Sequence, residues 1–194
     1  MPRPLILFLP IGLVLFPACA APGDRALSIY YGRYTDASLP EQILVSEGYD
    51  YEDAHLGVLA YSEAFAHFAD DGGRAEWEVQ FGKHWGEQDH VEFNALALAR
   101  WRRFPWSDTL RTSLAVGDGL SWASEEPYLE VTSHTNHGSS QLLNYLLLET
   151  TFGLPAVPRW DVIFRIHHRS GVFGLFDGVS GGSNVLALGL RATF

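Results

Sequence analysis

Residues 184–194 read NVLALGLRATF, and their side chains alternate strictly between two kinds. Large apolar residues and the final aromatic residue share one face, whereas small and polar residues share the other. A period of two is the pattern of a β-strand with two different faces. The apolar set is Leu186, Leu188, Leu190, Ala192 and Phe194, and the opposite set is Ala187, Gly189, Arg191 and Thr193. The end of the chain is therefore predicted to be a strand with one strongly apolar surface.

Seven further segments show the same alternation and are separated by clusters of Gly, Pro, Asp and Asn. They lie near 26–34, 54–66, 74–85, 89–101, 109–118, 141–152 and 159–170. A tilted strand needs about nine to eleven residues to cross a bilayer, and most of these segments have that length. The connections also tend to alternate between long and short, as in outer-membrane barrels. The sequence thus predicts an all-β fold, an eight-stranded antiparallel transmembrane β-barrel of the outer membrane.

Charged residues recur on one face of the central segments, namely Glu76, Glu78, Glu92 and Arg100. In a membrane barrel that face points into the lumen, where these groups are expected to pair. An eight-stranded barrel is only wide enough to be filled by side chains, so no pore is expected. A soluble barrel of lipocalin type also alternates but carries its polar face outside. The aromatic content of 13% and the leader described next favour the membrane.

The N-terminus has the layout of a secretory signal peptide. Arg3 precedes an apolar run over 5–16, and small residues up to Ala20 form a cleavage site. We expect residues 1–20 to be a signal peptide and residues 21–194 to be a single eight-stranded β-barrel domain. The alternative, a lipoprotein anchored at Cys19, fits the preceding residues poorly.

The composition excludes some partners and favours others. The formal net charge is −10, and removal of the predicted signal, whose only charged side chain is Arg3, makes it −11. Nucleic-acid binding requires a basic surface, so that class is excluded. Membrane lipid is the expected surrounding. The terminal aromatic Phe194 resembles the signal that outer-membrane barrels present to the barrel assembly machinery. The oligomeric state is left open.

The seventh segment, RWDVIFRIHHRS at 159–170, carries two reactive residues on its apolar face, His168 and Ser170. Two residues apart on a strand, their Cα atoms lie roughly 6.5–7 Å from one another, near enough for a hydrogen bond between the side chains. A histidine beside a serine is the arrangement that activates a serine nucleophile, and the imidazole then needs an orienting partner. Asn184, at the start of the last strand, and Asp177, in the preceding loop, are the candidates.

The stretches FRIHHRSGVFG at 164–174 and LGLRATF at 188–194 resemble the C-terminal end of the lipid A 3-O-deacylase family of Gram-negative outer membranes. That resemblance covers mainly residues 159–194 and implies an eight-stranded barrel with a lipid-facing His-x-Ser pair. It implies hydrolysis of an ester-linked acyl chain of lipid A, with lipopolysaccharide as substrate and no cofactor. His168 would be the general base and Ser170 the nucleophile.

The chain departs from the family pattern at two positions. Where the family commonly has an Asn implicated in the oxyanion hole, this chain has Gly171, so backbone N–H groups of Gly171 or Val172 would serve instead. The family's catalytic acid is a Glu on the last strand, whereas no Glu follows Glu149 here. Asn184 or Ser183 occupies that region. The alternative function is a non-catalytic outer-membrane barrel with a structural, adhesion or membrane-integrity role.

Histidines and acidic loop residues allow two weaker hypotheses about metal ions. A zinc site could form from His134, His137, His167 and His168. Divalent cations could bind the acidic loop residues Asp50, Asp53, Glu125 and Glu126. In both cases solvated loop side chains are the favoured interpretation, so no metal site is expected.

Overall fold

The computed structural model describes residues 23–44, 50–132 and 138–194. The predicted signal peptide lies outside these residues. The strands are β1 (Arg25–Thr35), β2 (Tyr51–Phe68), β3 (Gly73–Gly86), β4 (Val91–Trp101), β5 (Arg111–Ala123), β6 (Leu142–Gly153), β7 (Trp160–Ser170) and β8 (Gly182–Thr193). Two short helices, α1 (Leu39–Leu44) and α2 (Tyr128–Thr132), lie in the β1–β2 and β5–β6 connections. None of the helices within the described ranges is long and apolar enough to cross a membrane.

Each strand pairs with its neighbours in the chain, and β8 pairs antiparallel with β1, so the sheet closes on itself. The predicted eight-stranded antiparallel barrel is confirmed. The β1–β2, β3–β4, β5–β6 and β7–β8 connections lie at the same end, which we call the outer end. Closure leaves no strand edge exposed, which is the condition that lipid imposes on a sheet.

The prediction for β5 was wrong at its end, because the segment was expected to stop at residue 118 and a long connection to begin at Gly119. The strand continues to Ala123. A Cβ at Gly119 would lie 2.1 Å from the carbonyl oxygen of Ala95, so glycine permits close packing of β4 and β5 there. The GDG sequence at 117–119 therefore belongs to the barrel wall.

Outward-facing side chains form an apolar surface around the barrel. Ile29, Val116 and Leu188 are 63%, 55% and 53% exposed, values that fit contact with lipid rather than with water. Aromatic side chains are exposed at both ends of the strands: Trp85 and Trp122 near the outer end, Trp101 and Trp160 near the other end, and others between them. Apolar belts with aromatic girdles are typical of membrane barrels.

The lumen is filled by charged side chains, as the sequence predicted. Arg100 donates to Glu76 Oε1 at 2.8 Å and to Glu149 Oε1 at 2.7 Å. Arg165 donates to Glu78 Oε1 at 2.8 Å and also contacts Glu149. These side chains are buried. Each of these charges contacts an opposite charge, which offsets the free-energy cost of burying it. The ion pairs connect strands on different sides of the lumen.

The outer half of the lumen contains a second polar chain, centred on Glu92. Nε2 of His84 lies 3.0 Å from Glu92 Oε2, and Nε2 of His167 lies 2.8 Å from Glu92 Oε1. The other ring nitrogen of each histidine meets a tyrosine hydroxyl at 3.1 Å, Tyr34 for His84 and Tyr145 for His167. One carboxylate therefore joins two imidazoles whose orientations are fixed by tyrosines.

Helix α2 closes the outer mouth of the lumen. Its Glu130 accepts hydrogen bonds of 2.7 Å from Arg169 and from Ser183, which lie on β7 and β8. His90, in the β3–β4 connection, is buried beneath this closure. Burial and the nearby His84 lower the pKa of His90 to about 3. Its ring is therefore neutral near pH 7.

Candidate functional site

The wall of the barrel separates the residues of β7 into two sets. Arg165, His167 and Arg169 are buried in the lumen, whereas His168 and Ser170 are partly exposed on the outward face. They continue the apolar row of Phe164 and Ile166 toward the outer end. The predicted faces of this strand are correct, and the two polar side chains do lie on the lipid side.

Asn184 is the partner of His168. On the paired strands β7 and β8 the two residues are directly opposite, and His168 Nδ1 lies 2.7 Å from Asn184 Oδ1. The amide nitrogen of Asn184 donates to the carbonyl oxygen of Ala37 at 2.8 Å, in the β1–β2 connection. That bond identifies which amide atom faces the histidine, because only the nitrogen can donate to a carbonyl. His168 Nδ1 therefore carries a proton, and in the neutral ring Nε2 is the nitrogen that can accept one.

Ser170 is the last residue of β7 and is half-buried on the outward face. Its pairing partner on β8 is Gly182, and its partner on β6 is Asn144. A Cβ at Gly182 would lie 2.3 Å from the carbonyl oxygen of Arg169 and 3.1 Å from the Cβ of Ser170, so glycine allows β7 and β8 to approach closely beside the serine. Within the described residues no hydrogen bond joins Ser170 Oγ to His168. Bonds between a serine and its base are often loose without substrate, and proton transfer would require these side chains to come within hydrogen-bonding distance.

The β7–β8 connection makes one predicted oxyanion donor unsuitable. The N–H group of Gly171 donates to the carbonyl oxygen of Gly181 at 3.1 Å, so it is already engaged. A Cβ at position 171 would lie 1.9 Å from the carbonyl oxygen of Val179, which explains why glycine replaces the expected asparagine. Val172 has a left-handed φ of 48°. Its N–H makes no backbone hydrogen bond in the part of the chain that the structure describes and stays the candidate donor.

Asp177 does not take the role of orienting acid. It is exposed in the β7–β8 connection, and among the described residues no hydrogen bond links it to His168. Position explains the outcome: Asn184 lies opposite His168 in the strand pairing, whereas Asp177 lies beyond the end of the sheet. Of the two candidates that the sequence left open, the structure brings only Asn184 to the histidine.

Two polar residues that the sequence analysis missed extend the outward patch. Asn144 donates to Asp118 Oδ2 at 2.9 Å and to the carbonyl oxygen of Gly119 at 3.2 Å. Asp118 lies between Val116 and Leu120 on the lipid-facing side of β5. An acidic residue on the lipid face is costly, with the cost depending on depth, and one strand, β6, separates Asp118 from the strand of His168 and Ser170. The signal was available in the sequence as an acidic residue in an apolar row.

The histidine zinc hypothesis is wrong for the pair at 167 and 168, because these consecutive residues project to opposite sides of the barrel wall. His134 and His137 lie outside the described residues. In the acidic loops, Asp53 contacts His55 at 3.1 Å, and Glu125 and Glu126 are exposed. These loop carboxylates do not converge on a common point within the described ranges.

Comparison with known proteins supports the fold alone. No family model and no curated protein matches the sequence. The structure is similar to that of the outer membrane enzyme PagL, with a TM-score of 0.56 and 15% identity over 87% of this chain and 99% of that one. It is also similar to Neisserial surface protein A, with a TM-score of 0.51 and 13% identity over 88% and 96% of the two chains. The protein thus has the fold of small bacterial outer-membrane barrels.

Proposed function

We propose that the protein is an outer-membrane ester hydrolase that removes an ester-linked acyl chain from lipid A by 3-O-deacylation. The observation that carries the proposal is the outward-facing hydrogen bond between His168 and Asn184 beside Ser170. A polar, oriented histidine on a lipid-facing surface has no packing role that an apolar residue would not fill better. The lipid-facing position suits a substrate whose acyl chains lie in the bilayer.

The proposed mechanism follows from the proton on Nδ1 of His168 and the proton on Oγ of Ser170. Nε2 of neutral His168 takes the proton of Ser170 Oγ as that oxygen attacks the ester carbonyl carbon. The oxyanion receives a hydrogen bond from a backbone N–H, for which Val172 is the candidate. The same imidazolium then protonates the departing sugar hydroxyl, and water hydrolyses the acyl-serine in a second cycle. Asn184 keeps the histidine in the required tautomer throughout.

The polar residues near Ser170 suit a substrate with a polar headgroup. Asn144 and Asp118 place hydrogen-bonding groups beside Ser170, where hydroxyl or amide groups of the lipid A sugar could bind. Apolar residues such as Ile166 and Leu146 lie deeper in the same surface, where acyl chains would lie. The patch therefore offers both kinds of contact that an amphipathic ester requires.

The direct test is mass spectrometry of lipid A from Gram-negative cells expressing the protein. We expect loss of one hydroxyacyl chain with the wild type and no change with Ser170→Ala or His168→Ala. Thr150→Ala, which removes another outward-facing hydroxyl of the same barrel, is the matched control and should behave as the wild type. Insertion of every variant is checked by its heat-modifiable migration. Deacylation by Ser170→Ala, or unchanged lipid A with an inserted wild type, would overturn the proposal.

A non-catalytic surface barrel is the second candidate. It is favoured by the lack of a hydrogen bond between Ser170 and His168 among the described contacts, and one of the two similar structures is a surface protein. In that case the outward polar patch would contact lipid headgroups without reaction. Binding of lipid A that is equal in the wild type and Ser170→Ala, with no product from either, would support this function.

A further inference from the structure

Three potential ligand side chains converge in the outer half of the lumen, on the opposite side of the wall from the serine. They are His84 on β3, Glu92 on β4 and His90 in the connection between these strands. All three are buried, and their ligand atoms lie within 4.8 Å of one another. The rings of His84 and His90 stack with centroids 4.0 Å apart. The short β3–β4 connection holds them together, since His84 N donates to the carbonyl oxygen of His90 at 2.9 Å.

One ring nitrogen of His84 is fixed by a polar group, as is usual for histidines that bind a metal through the other nitrogen. Tyr34 meets its Nδ1 at 3.1 Å, which fixes the ring and directs Nε2 at Glu92 Oε2, 3.0 Å away. Metal-binding histidines commonly have their second nitrogen fixed in this way by another polar group. For Nε2 to bind a cation, its proton must move to Nδ1, where the tyrosine oxygen can accept it.

His90 supplies an independent indication. Its Nε2 is fully buried and has no hydrogen-bond partner among the residues that the structure describes. The whole residue is only 4% exposed. A buried polar nitrogen is costly to leave without a partner, and coordination to a cation is one way to satisfy it. A cation bound also by His84 and Glu92 would give Nε2 of His90 a partner.

The charges around the cluster favour a cation. In the described part of the outer lumen, Glu92 and Glu130 face a single arginine, Arg169. Arg169 is committed to Glu130 at 2.7 Å and lies 3.9 Å from Glu92. The remaining contacts of Glu92 are with Asn94 and with the imidazoles of His84 and His167. Glu92 therefore lies beyond hydrogen-bonding distance of the arginine nearest to it, and a divalent ion bound by Glu92 would place positive charge beside this carboxylate.

We propose that His84, His90 and Glu92 bind one transition-metal ion of the zinc class, which fastens the β3–β4 connection over the outer mouth of the lumen. Two imidazoles and a carboxylate are a ligand set that zinc accepts, with a water as the fourth ligand. Bond lengths near 2.0–2.2 Å would require the ligand atoms to close to about 3.3 Å of one another. The His90 ring would also have to turn out of its stacked position on His84 for both imidazoles to direct a nitrogen at one ion. The site is structural and independent of Ser170.

The test uses Zn²⁺ itself. The full mature chain is refolded in detergent with or without Zn²⁺, desalted, and analysed for bound metal and for thermal stability. We expect about one retained ion per barrel and a higher Tm with Zn²⁺ for the wild type. His90→Ala should weaken Zn²⁺ binding by at least roughly a hundredfold and remove the Tm shift, because it loses a direct ligand.

The controls distinguish this site from adventitious binding. His55→Gln changes a half-buried histidine on the outward face and should retain the ion. His84→Gln provides a second variant if His90→Ala fails to fold, and it should also lose the ion. The inference is overturned if the folded wild type retains no stoichiometric Zn²⁺, or if both lumenal variants bind it as tightly as the wild type. Loss of the ion in His55→Gln with retention in the lumenal variants would place the metal elsewhere.

Discussion

The hydrogen bond between Asn184 and His168 can be tested with two substitutions at position 184, which should change activity in opposite directions. Asn184→Ala removes the acceptor of the Nδ1 proton. Asn184→Asp keeps an acceptor at nearly the same position but gives it a negative charge. The carboxylate can no longer donate to the carbonyl oxygen of Ala37, a bond of 2.8 Å in the wild type. Activity and stability should therefore change in different directions for the aspartate variant.

The magnitudes follow from the geometry of that bond, which is 2.7 Å long and partly buried. Removing the acceptor leaves a donor unsatisfied, at about 1–3 kcal/mol, or roughly a 5- to 150-fold loss in kcat/KM for Asn184→Ala. A charge-assisted bond to the imidazolium of the transition state exceeds a neutral bond by about 0.5–2 kcal/mol. Asn184→Asp should thus raise kcat/KM roughly 2- to 30-fold while lowering stability by about 1–3 kcal/mol.

The assay is release of hydroxyacyl fatty acid from lipid A in mixed micelles, with Tm measured on the same preparations. Asn184→Ser, whose hydroxyl is too short to reach the ring in the same position, serves as a further comparison and should resemble the alanine variant. Full activity in Asn184→Ala would refute the assigned role of Asn184. An aspartate variant slower than the alanine variant would refute the argument that the imidazolium is the charged partner.

The remaining predictions concern the lumen and the outward patch. Arg165→Met leaves the buried carboxylates of Glu78 and Glu149 without their shared partner and should destabilise the barrel by about 3–5 kcal/mol in urea unfolding, whereas a wild-type midpoint would contradict the role of the charge network. Asn144→Leu removes a hydrogen-bonding group beside the serine and should raise KM for lipid A roughly 2- to 10-fold with little change in kcat. Glu130→Gln weakens the closure by α2 and should accelerate proteolysis of the β5–β6 connection; an unchanged cleavage rate would argue against that closure.

Much of the fold could be predicted because alternation with a period of two depends only on which side chains meet lipid and which meet the lumen. The face of His168 followed from that rule, as did the inward charges such as Glu76 and Arg100. The end of β5 was missed because the GDG sequence has the composition of a turn. Its true role depends on the close approach of a neighbouring strand, which the local sequence does not record.

The site itself was predictable only in part. A histidine and a serine two residues apart are visible in the sequence, but the partner of the histidine depends on strand register. A shift of one residue between β7 and β8 would have turned Asn184 into the lumen. The same holds for Asn144, which lies opposite Ser170 only because β6 pairs with β7 in the observed register.

The sequence by itself determined the number of strands, the face of each side chain and the presence of a His-x-Ser pair on an apolar surface, because these are properties of residues near one another in the chain. The tertiary structure decided the partner of His168, the engagement of Gly171 N–H and the convergence of His84, His90 and Glu92. Those contacts depend on barrel closure, strand register and the folding of connections over the lumen. The spacing of these residues along the chain does not predict that they come together.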